Sequence, residues 1–465
     1  MSFNTLPHSI KSELKDTVSL SVPLVASQII YASSGFVGTA MVAKLGEDAL
    51  AASVLVSMVW MSLSVLFFGI LNSVSVLTAH QYGAKNNKGI SDIMGQAFLL
   101  GILTIFVMTL ILCSMPFFMR FSAQPPMVVK LSYEYMFALL WTIPGLVMLV
   151  IMEQFLAGIN RARIVLRISL LVVPIEIPII YMLIFGKFGL PACGVAGIGY
   201  GFAVTYTGTA IAMTFYLLKS PQYRDMHIFS GMKKLNIPYL KELIVVGLPM
   251  GFMYVIEVST FAVMTFWIAQ FGTTLLAAHQ IVMQYLNFAI TLVFAMAQAV
   301  TVRVGHSIGR QDLTGVRYAV YVGMLLNFIL VVIIALAFLF YPDIFLRLDM
   351  DIYQASNAAL RKDAAMLLGI CSALLLFDNF RIIGFGALRG LKDTRFAMFA
   401  SLISFWLVGL SAGYLFGFYF HLQGKGIWWG IVFGIASGAV IVFLRLQYLL
   451  KHADVHRIAS ISGVD

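Results

Sequence analysis

Charged residues are scarce in this sequence. Only 11% of the 465 residues are Asp, Glu, Lys or Arg, and 61% are hydrophobic, whereas a soluble domain carries about 25% charged residues. This excludes an ordinary soluble globular protein. The hydrophobic residues form repeated runs of roughly 20 to 28, and a helix needs about 20 such residues to cross a bilayer. The short alternating segments of a transmembrane barrel are absent, so the sequence predicts an all-α membrane protein.

Cysteine and the motifs of several enzyme classes are also lacking. Cys113, Cys193 and Cys371 lie in or beside apolar segments without metal-ligand spacing, which is typical of buried free thiols. The chain has no Gly-x-x-x-x-Gly-Lys nucleotide loop and no His-Glu-x-x-His zinc helix, and we find no hydrolase nucleophile elbow. We therefore expect neither an enzyme nor a cofactor. We expect no cleavable signal peptide either, because the first apolar run is long enough to span a membrane.

Twelve apolar runs are long enough to be membrane spans. The longest basic connection, from Lys219 to Lys241, separates two sets of six. We therefore predict an N-terminal six-helix lobe (1–218), a cytoplasmic linker (219–239) and a C-terminal six-helix lobe (240–465). The predicted spans are 17–43, 50–79, 93–115, 130–157, 164–186, 193–218, 240–268, 276–300, 316–340, 360–388, 396–419 and 427–450.

The basic residues are distributed unequally between the two sides of the predicted spans. The formal net charge of +10 would suggest a nucleic-acid partner in a soluble protein. If both termini lie on one side of the membrane, that side carries 21 Lys and Arg residues and the other side carries 8, and the remaining one, Arg381, lies inside a span. Cytoplasmic loops are enriched in Lys and Arg. We therefore expect an inner-membrane protein with both termini in the cytoplasm and no nucleic-acid partner.

The two halves of the chain repeat each other. A shift of 226 residues maps Pro23 onto Pro249, and further along a shift of 232 residues maps Gly158 onto Gly390. A shift that stays constant through several Gly and Pro positions is hard to explain by chance. Each half has an even number of spans, so both halves face the same way. An axis along the membrane normal then relates them, with a cavity between them.

Five charged side chains stand out within the predicted spans, where charge is costly and usually faces a cavity or a partner. Glu257 and Asp378 lie near the middle of the seventh and tenth spans. An isolated carboxylate at this depth takes up a proton unless a cation holds it ionised. We therefore predict that Glu257 and Asp378 form a cation-coupling pair, which would bind Na⁺ if sodium drives the protein.

The role of Arg381 is open. It lies three residues after Asp378 and on the same helix face. It either forms a neutral structural pair with Asp378 or reaches another partner, such as Glu257 across the cavity.

The last two acids lie in the N-terminal half. Glu176 stands between Pro174 and Pro178, and proline frees backbone carbonyl oxygens. Glu176 is therefore a possible coupling site, or else a carboxyl that bonds polar groups at the kink. Glu153 is closer to a span end and to the basic run 161–167, so we expect an interfacial ion pair there.

Short motifs are spread over nearly the whole chain. They are Gly247-Leu248-Pro249 with Glu257 eight residues on, Ala277-Ala278-His279-Gln280, Val302-Arg303-Val304-Gly305, Gly186-Lys187-Phe188-Gly189 and the run from Ala387 to Asp393. Together they resemble the multidrug and toxic compound extrusion family, and within it the NorM-like branch.

The resemblance implies two pseudo-symmetric six-helix bundles that form a V-shaped central cavity. It implies antiport of cationic, often aromatic compounds against H⁺ or Na⁺ in a bacterial inner membrane, with Glu257 and Asp378 on the carboxylates that the family uses for coupling. Organic cations and membrane lipid are the expected partners, and we expect the monomer to be functional.

The chain departs from the family pattern in its first span. Family members commonly carry an aspartate there, in a pattern like Phe-Val-Asp-Thr, where this chain reads Phe36-Val37-Gly38-Thr39. We hypothesise that the N-terminal carboxylate has moved to Glu176. The alternative is that only the C-terminal half couples.

Two other functions are open. A flippase of a lipid-linked or amphiphilic substrate shares the broad architecture, but it would be expected to have a strongly basic cavity. A membrane receptor or scaffold would have no reason to hold several buried carboxylates.

Overall fold

The computed structural model describes residues 10–119, 125–233, 235–452 and 454–460. Within these residues the chain is helical without strands, and twelve helical segments are long and apolar enough to cross a membrane. The predicted fold class is therefore confirmed. The first six helices are α1 (Ile10–Ala43), α2 (Glu47–Gly83), α3 (Asn87–Met115), α4 (Pro126–Gly158), α5 (Ala162–Phe185) and α6 (Ala196–Lys219). The second six are α7 (Ile237–Ala269), α8 (Thr273–Gly309), α9 (Leu313–Phe340), α10 (Ala355–Gly390), α11 (Thr394–Tyr419) and α12 (Gln423–His452).

Several helices continue past the predicted spans. Arg303 and Arg389, which the sequence assigned to loops, lie inside α8 and α10, and both are buried. The helix α8 has 37 residues and is about 55 Å long, which exceeds a hydrocarbon core of about 30 Å, so the helix includes residues beyond its apolar span. A run of apolar residues predicts the membrane span of a helix. It does not show where the helix ends when basic residues beyond the run have buried partners.

The described chain divides into two compact units. The C-terminal unit contains residues 10–21 together with Leu248–Ser460, and the N-terminal unit is Val22–Gly247. The first residues of α1 thus belong with the second half of the sequence, unlike the predicted lobe 1–218. An ion pair explains this, because Arg303 on α8 donates to both carboxylate oxygens of Glu13 at 2.8 and 2.6 Å. Asp16 lies 3.0 Å from the same guanidinium.

The segment predicted as a linker, 219–239, is ordered against the N-terminal unit. It contains a short helix, Pro221–Arg224, and a 3₁₀ turn, Ser230–Lys233. Ser91 of α3 donates a hydrogen bond to the carbonyl oxygen of His227 at 2.8 Å. The rings of Phe98 and Phe229 stack with centroids 5.4 Å apart. This segment therefore packs on α3 as part of the unit's structure.

The fourth helix of each half lies at the centre of its unit. In the N-terminal unit α4 packs against α2, α3 and α6, and in the C-terminal unit α10 packs against α8, α9 and α12. A central helix is shielded from lipid on most sides. It can therefore carry polar side chains, provided that its neighbours supply partners.

A stripe of glycines brings α12 against α11. Gly426, Gly430, Gly434 and Gly438 recur every four residues and share one helix face. A Cβ atom at Gly430 would collide with the backbone of Gly413 on α11. Small residues let membrane helices approach this closely. Along the contact α11 widens into π-helical turns at Ile403–Leu410 and Leu415–Tyr419, and such turns are frequent at functional sites.

The three cysteines are free thiols, but their surroundings differ. Cys371 is buried, Cys193 is half-buried and Cys113 is exposed. The prediction of burial is wrong for Cys113. An apolar span has an outer face as well as a buried one, and a thiol is apolar enough to lie on either.

The glycine stripe gives a test of the packing. We expect Gly430→Leu to lower the melting temperature of the purified protein sharply, because the new side chain has no space and overpacking costs about 1–3 kcal/mol or more. The matched control is Gly208→Leu on α6, where a Cβ meets nothing within 4 Å. Thermal unfolding followed by intrinsic fluorescence measures both. Equal melting temperatures for the two variants would contradict the proposed close contact.

Candidate functional site

The two acids predicted as the coupling pair meet at one buried guanidinium. Glu257 lies on α7, and Asp378 and Arg381 lie one turn apart on α10. Arg381 Nε donates to Asp378 Oδ1 at 2.5 Å, and Arg381 Nη2 donates to Glu257 Oε1 at 3.0 Å. All three side chains are buried. Arg381 therefore pairs with Asp378 and with Glu257 at once.

Aromatic rings and a glycine enclose Arg381. Its guanidinium carbon lies 4.6 Å from the ring centroid of Phe405 and 5.4 Å from that of Phe385. A cation is attracted to an aromatic face at such distances. A Cβ at Gly438 would lie 3.3 Å from Arg381 Cδ, so this glycine leaves room for the arginine. Phe405 is on α11 and Gly438 on α12, and three helices thus fix the position of the guanidinium.

Asp378 keeps one carboxylate oxygen without a partner. Its Oδ2 atom is buried and accepts no hydrogen bond within the described residues. The neighbouring Asn379 accepts a hydrogen bond of 2.7 Å from Asn327 on α9. A buried acceptor without a donor is costly. Asp378 Oδ2 is therefore the atom of this cluster that has room for a proton.

A second arginine lies further along α10. Arg389 is buried, and its Nη1 donates to the Tyr254 hydroxyl at 2.5 Å. Tyr254 is one turn before Glu257 on α7, so both arginines of α10 contact side chains of α7. Arg389 was not among the functional side chains predicted from the sequence. The signal available in the sequence was its position in the motif that runs from Ala387 to Asp393.

The two acids of the N-terminal unit are held by hydroxyl groups. Glu176 on α5 is buried, accepts a short hydrogen bond from Ser34 on α1, and accepts another at 3.3 Å from Thr205 on α6. Glu153 on α4 is half-buried and accepts a hydrogen bond of 2.7 Å from the Tyr31 hydroxyl. The ion pair expected for Glu153 is therefore wrong, because Tyr31 is its partner and the nearby arginines are exposed.

Neither N-terminal acid has a positively charged partner among the residues that the structure describes. Tyr31 interacts electrostatically with both Glu153 and Glu176, and so does Tyr206. The two acids are thus close enough to share an environment of hydroxyl groups. The C-terminal acids share a guanidinium, whereas the N-terminal acids share none.

Similarity to known proteins identifies the family. A family model described as MatE matches residues 23–182 and 249–415, which is more than half of the chain. The chain belongs to the MatE family. It is 32% identical over 443 residues to the multidrug resistance protein NorM of Burkholderia vietnamiensis, with 95% of each chain covered. It is 29% identical over 441 residues to the probable multidrug resistance protein NorM of Synechocystis, covering 95% of this chain and 96% of the relative.

A solved structure has the same fold. A crystal structure of MATE in the bent conformation superposes with a TM-score of 0.86 at 18% identity, covering 97% of this chain and 99% of the other. The resemblance predicted from the motifs, a MatE-family protein of the NorM-like branch, is therefore confirmed. The bacterial relatives and the twelve apolar helices make this chain a multi-pass bacterial membrane protein.

The position of the missing family aspartate lies on the same face of α1 as the groups that bind the acids. Tyr31, Ser34 and Gly38 follow at helical spacing, and Gly38 is buried. A Cβ at Gly38 meets nothing within 4 Å. In this MatE-family chain, α1 thus presents two hydroxyls and a space at the position where the resemblance implied an aspartate, and Glu176 accepts a hydrogen bond from the Ser34 hydroxyl.

The paired cluster predicts a pH-dependent stability. In Arg381→Gln, two buried carboxylates lose their cation, and leaving a buried charge unpaired costs about 3–5 kcal/mol. Protonating those carboxylates removes the cost. We therefore expect the variant to melt well below the wild type at pH 8 and to regain part of the difference at pH 5.

The matched control is Arg163→Gln, which removes an exposed arginine and is expected to melt like the wild type at both pH values. Thermal unfolding in detergent at the two pH values measures the effect. A pH-independent deficit for Arg381→Gln would contradict the charge-pairing role.

Proposed function

We propose that this protein is a secondary antiporter that exports organic cations in exchange for H⁺ or Na⁺ by alternating access. It would act as a monomer in the bacterial inner membrane with both termini in the cytoplasm. Three facts support the proposal: the family, the multidrug resistance names of the relatives, and the excess of Lys and Arg on the side of the termini. The acids buried in each unit supply the groups that exchange one cation for another.

The observation that carries the proposal is that Glu153 and Glu176 have no cation among the described residues. Hydroxyl groups both donate and accept hydrogen bonds. The partners of Glu176, Ser34 and Thr205, can therefore satisfy it when it is ionised and also when it carries a proton. This is what a coupling site requires, because the same group must bind and release a small cation.

Na⁺ binds oxygen atoms, as other hard cations do, and this preference favours the N-terminal unit as the place where Na⁺ would bind. Glu176, Ser34 and Thr205 bring a carboxylate and two hydroxyl oxygens together from three helices. At Asp378 and Glu257 the guanidinium of Arg381 occupies most of the carboxylate oxygens. Na⁺ coupling at that pair would therefore require Arg381 to move away from one of the acids.

We propose that the predicted pair Glu257 and Asp378 also takes part, through Arg381. A proton placed on Asp378 Oδ2 weakens the hold of Asp378 on the guanidinium, which then binds Glu257 more strongly. This changes the side-chain arrangement between α7 and α10 with the protonation state. A ligand shifts a conformational equilibrium only when it binds the two states differently, and this rearrangement is such a difference.

The alternative function, a flippase of a lipid-linked or amphiphilic substrate, fits less well. It would be expected to need a basic cavity that attracts phosphate. Within the described residues, buried Arg381 and Arg303 are paired with acids, and Arg389 donates to Tyr254. Among the described residues Arg389 thus lacks an acidic hydrogen-bond partner, and one such arginine is not the strongly basic cavity that a flippase would be expected to need.

The acids are tested by transport. We expect Glu176→Gln, Glu257→Gln and Asp378→Asn each to lower export of a fluorescent organic cation at least about tenfold, because each removes a group that changes its charge during coupling. Glu134→Gln is the control, since Glu134 is exposed on α4. Reconstituted vesicles with separately imposed proton and sodium gradients measure the rate and identify the driving ion. Undiminished transport after neutralising Glu257 and Asp378 together would rule out their role.

The relocation of the N-terminal carboxylate has its own test. We expect Glu176→Asn to lose coupled transport and the double variant Gly38→Asp with Glu176→Asn to recover much of it, because the added aspartate has space on the same face of α1 as Ser34. Gly38→Asp alone places a third acid near Glu176 and Glu153 and is expected to impair transport. Normal coupling by Glu176→Asn would mean that the N-terminal carboxylate is dispensable, and the relocation hypothesis would fail.

A further inference from the structure

The N-terminal unit has an apolar groove between α5 and α6. Its volume is about 520 Å³, and its walls are mainly aliphatic, with Leu171 and Ile175 on α5 and Val204 and Ala212 on α6. Leu171 is 66% exposed, Ile175 57% and Val204 56%. In a membrane-spanning unit, apolar side chains that are this exposed are suited to contact lipid tails. The groove is therefore a place where an apolar chain from the membrane can lie.

One end of the groove is positively charged. Arg167 on α5 lines it together with Tyr216 on α6. Arg167 is exposed and forms no ion pair within the described residues. Residues 154–175 contain three arginines and no acid. An organic cation would be repelled at this end, whereas an anionic headgroup would be attracted, so the charge of the groove opposes a substrate role.

The length of the groove matches one membrane leaflet. From Arg167 to Ile179, α5 rises about 18 Å at 1.5 Å per residue, and one leaflet of the hydrocarbon core is about 15 Å thick. Tyrosine is enriched at the membrane–water interface, which agrees with Tyr216 at the charged end. The groove thus runs from headgroup depth to about the middle of the bilayer.

We propose that this groove binds an anionic phospholipid, with one acyl chain between α5 and α6 and the phosphate at Arg167. Basic pockets between membrane helices are known to bind anionic headgroups, and arginine forms charge-assisted hydrogen bonds to phosphate. The lipid would be a long-lived partner of the N-terminal unit. The inference depends on the chain lying in a membrane and is independent of the proposed antiport.

The bound lipid would lie next to the N-terminal acids. Thr205 is part of the groove wall and also donates to Glu176 Oε2. An acyl chain in the groove would therefore exclude water from the outer side of Thr205. This places the lipid one side chain away from the group that we propose exchanges cations.

The test is native mass spectrometry of the purified full-length protein with phosphatidylglycerol and phosphatidylcholine. We expect Arg167→Gln to weaken phosphatidylglycerol binding about tenfold, through loss of the charged contact, and to leave phosphatidylcholine binding unchanged. Arg167→Lys keeps the charge and should retain most of the binding. The matched control is Arg163→Gln, because Arg163 is exposed on the same helix and does not line the groove.

A second pair of variants tests the acyl chain. Gly208 lines the groove, and a Cβ there meets nothing within 4 Å, so Gly208→Phe fills the groove without a clash and should weaken binding of both lipids. Ile211→Phe, on the exposed surface of α6 outside the groove, should bind both lipids like the wild type.

Three results would overturn the proposal. Equal effects of Arg167→Gln and Arg163→Gln would mean that lipid responds only to general surface charge. Wild-type lipid binding by Gly208→Phe would mean that the acyl chain lies elsewhere. Competitive displacement of phosphatidylglycerol by ethidium would mean that the groove is a site for cationic guests. A loss of transport in the acid variants described above, by contrast, bears on the antiport alone.

Discussion

A guanidinium buried in a helix bundle has to be paired, and in the C-terminal unit this requirement fixes the surroundings of Arg381. It binds Asp378 on its own helix and Glu257 on α7, and it needs the space that Gly438 provides on α12. Removing Arg381 would leave both carboxylates without their cation, at a cost of about 3–5 kcal/mol. The positions of α7, α10 and α12 are therefore tied to one ion cluster.

In the N-terminal unit, hydroxyl groups rather than a cation stabilise the carboxylates. Serine, threonine and tyrosine hydroxyls stabilise Glu176 and Glu153 without neutralising them. A carboxylate in such a site keeps its affinity for a small cation, because no protein cation competes for it. An acid bound to arginine must first give up that contact. We therefore propose that the N-terminal acids exchange cations more readily, and that the C-terminal cluster converts a change of charge into a change of side-chain contacts.

The sequence predicted the parts of this structure that follow from local composition. Apolar runs predicted twelve helices, and the cost of buried charge selected Glu176, Glu257, Asp378 and Arg381. The partners could not be predicted, because they depend on contacts between distant helices. The hydroxyl of Tyr31 replaced the expected ion pair of Glu153 for this reason. Helix ends were also missed, since a pairing such as that of Arg303 with Glu13 lets a basic residue remain inside a helix.

The internal repeat shows at which equivalent positions the two halves differ. The shift of 226 residues that maps Pro23 onto Pro249 also maps Tyr31 onto Glu257. Equivalent positions on the first helix of each half therefore carry a phenol in one and a carboxylate in the other. The phenol donates to Glu153 of the central helix α4, whereas the carboxylate needs Arg381 of the central helix α10 as a bridge to Asp378. Equivalent positions of the repeat are thus linked to an acid of the central helix through a hydroxyl in the first half and through a guanidinium in the second. The glycine at position 38 is consistent with this division, because an acid there would add a further uncompensated charge beside Glu176 and Glu153.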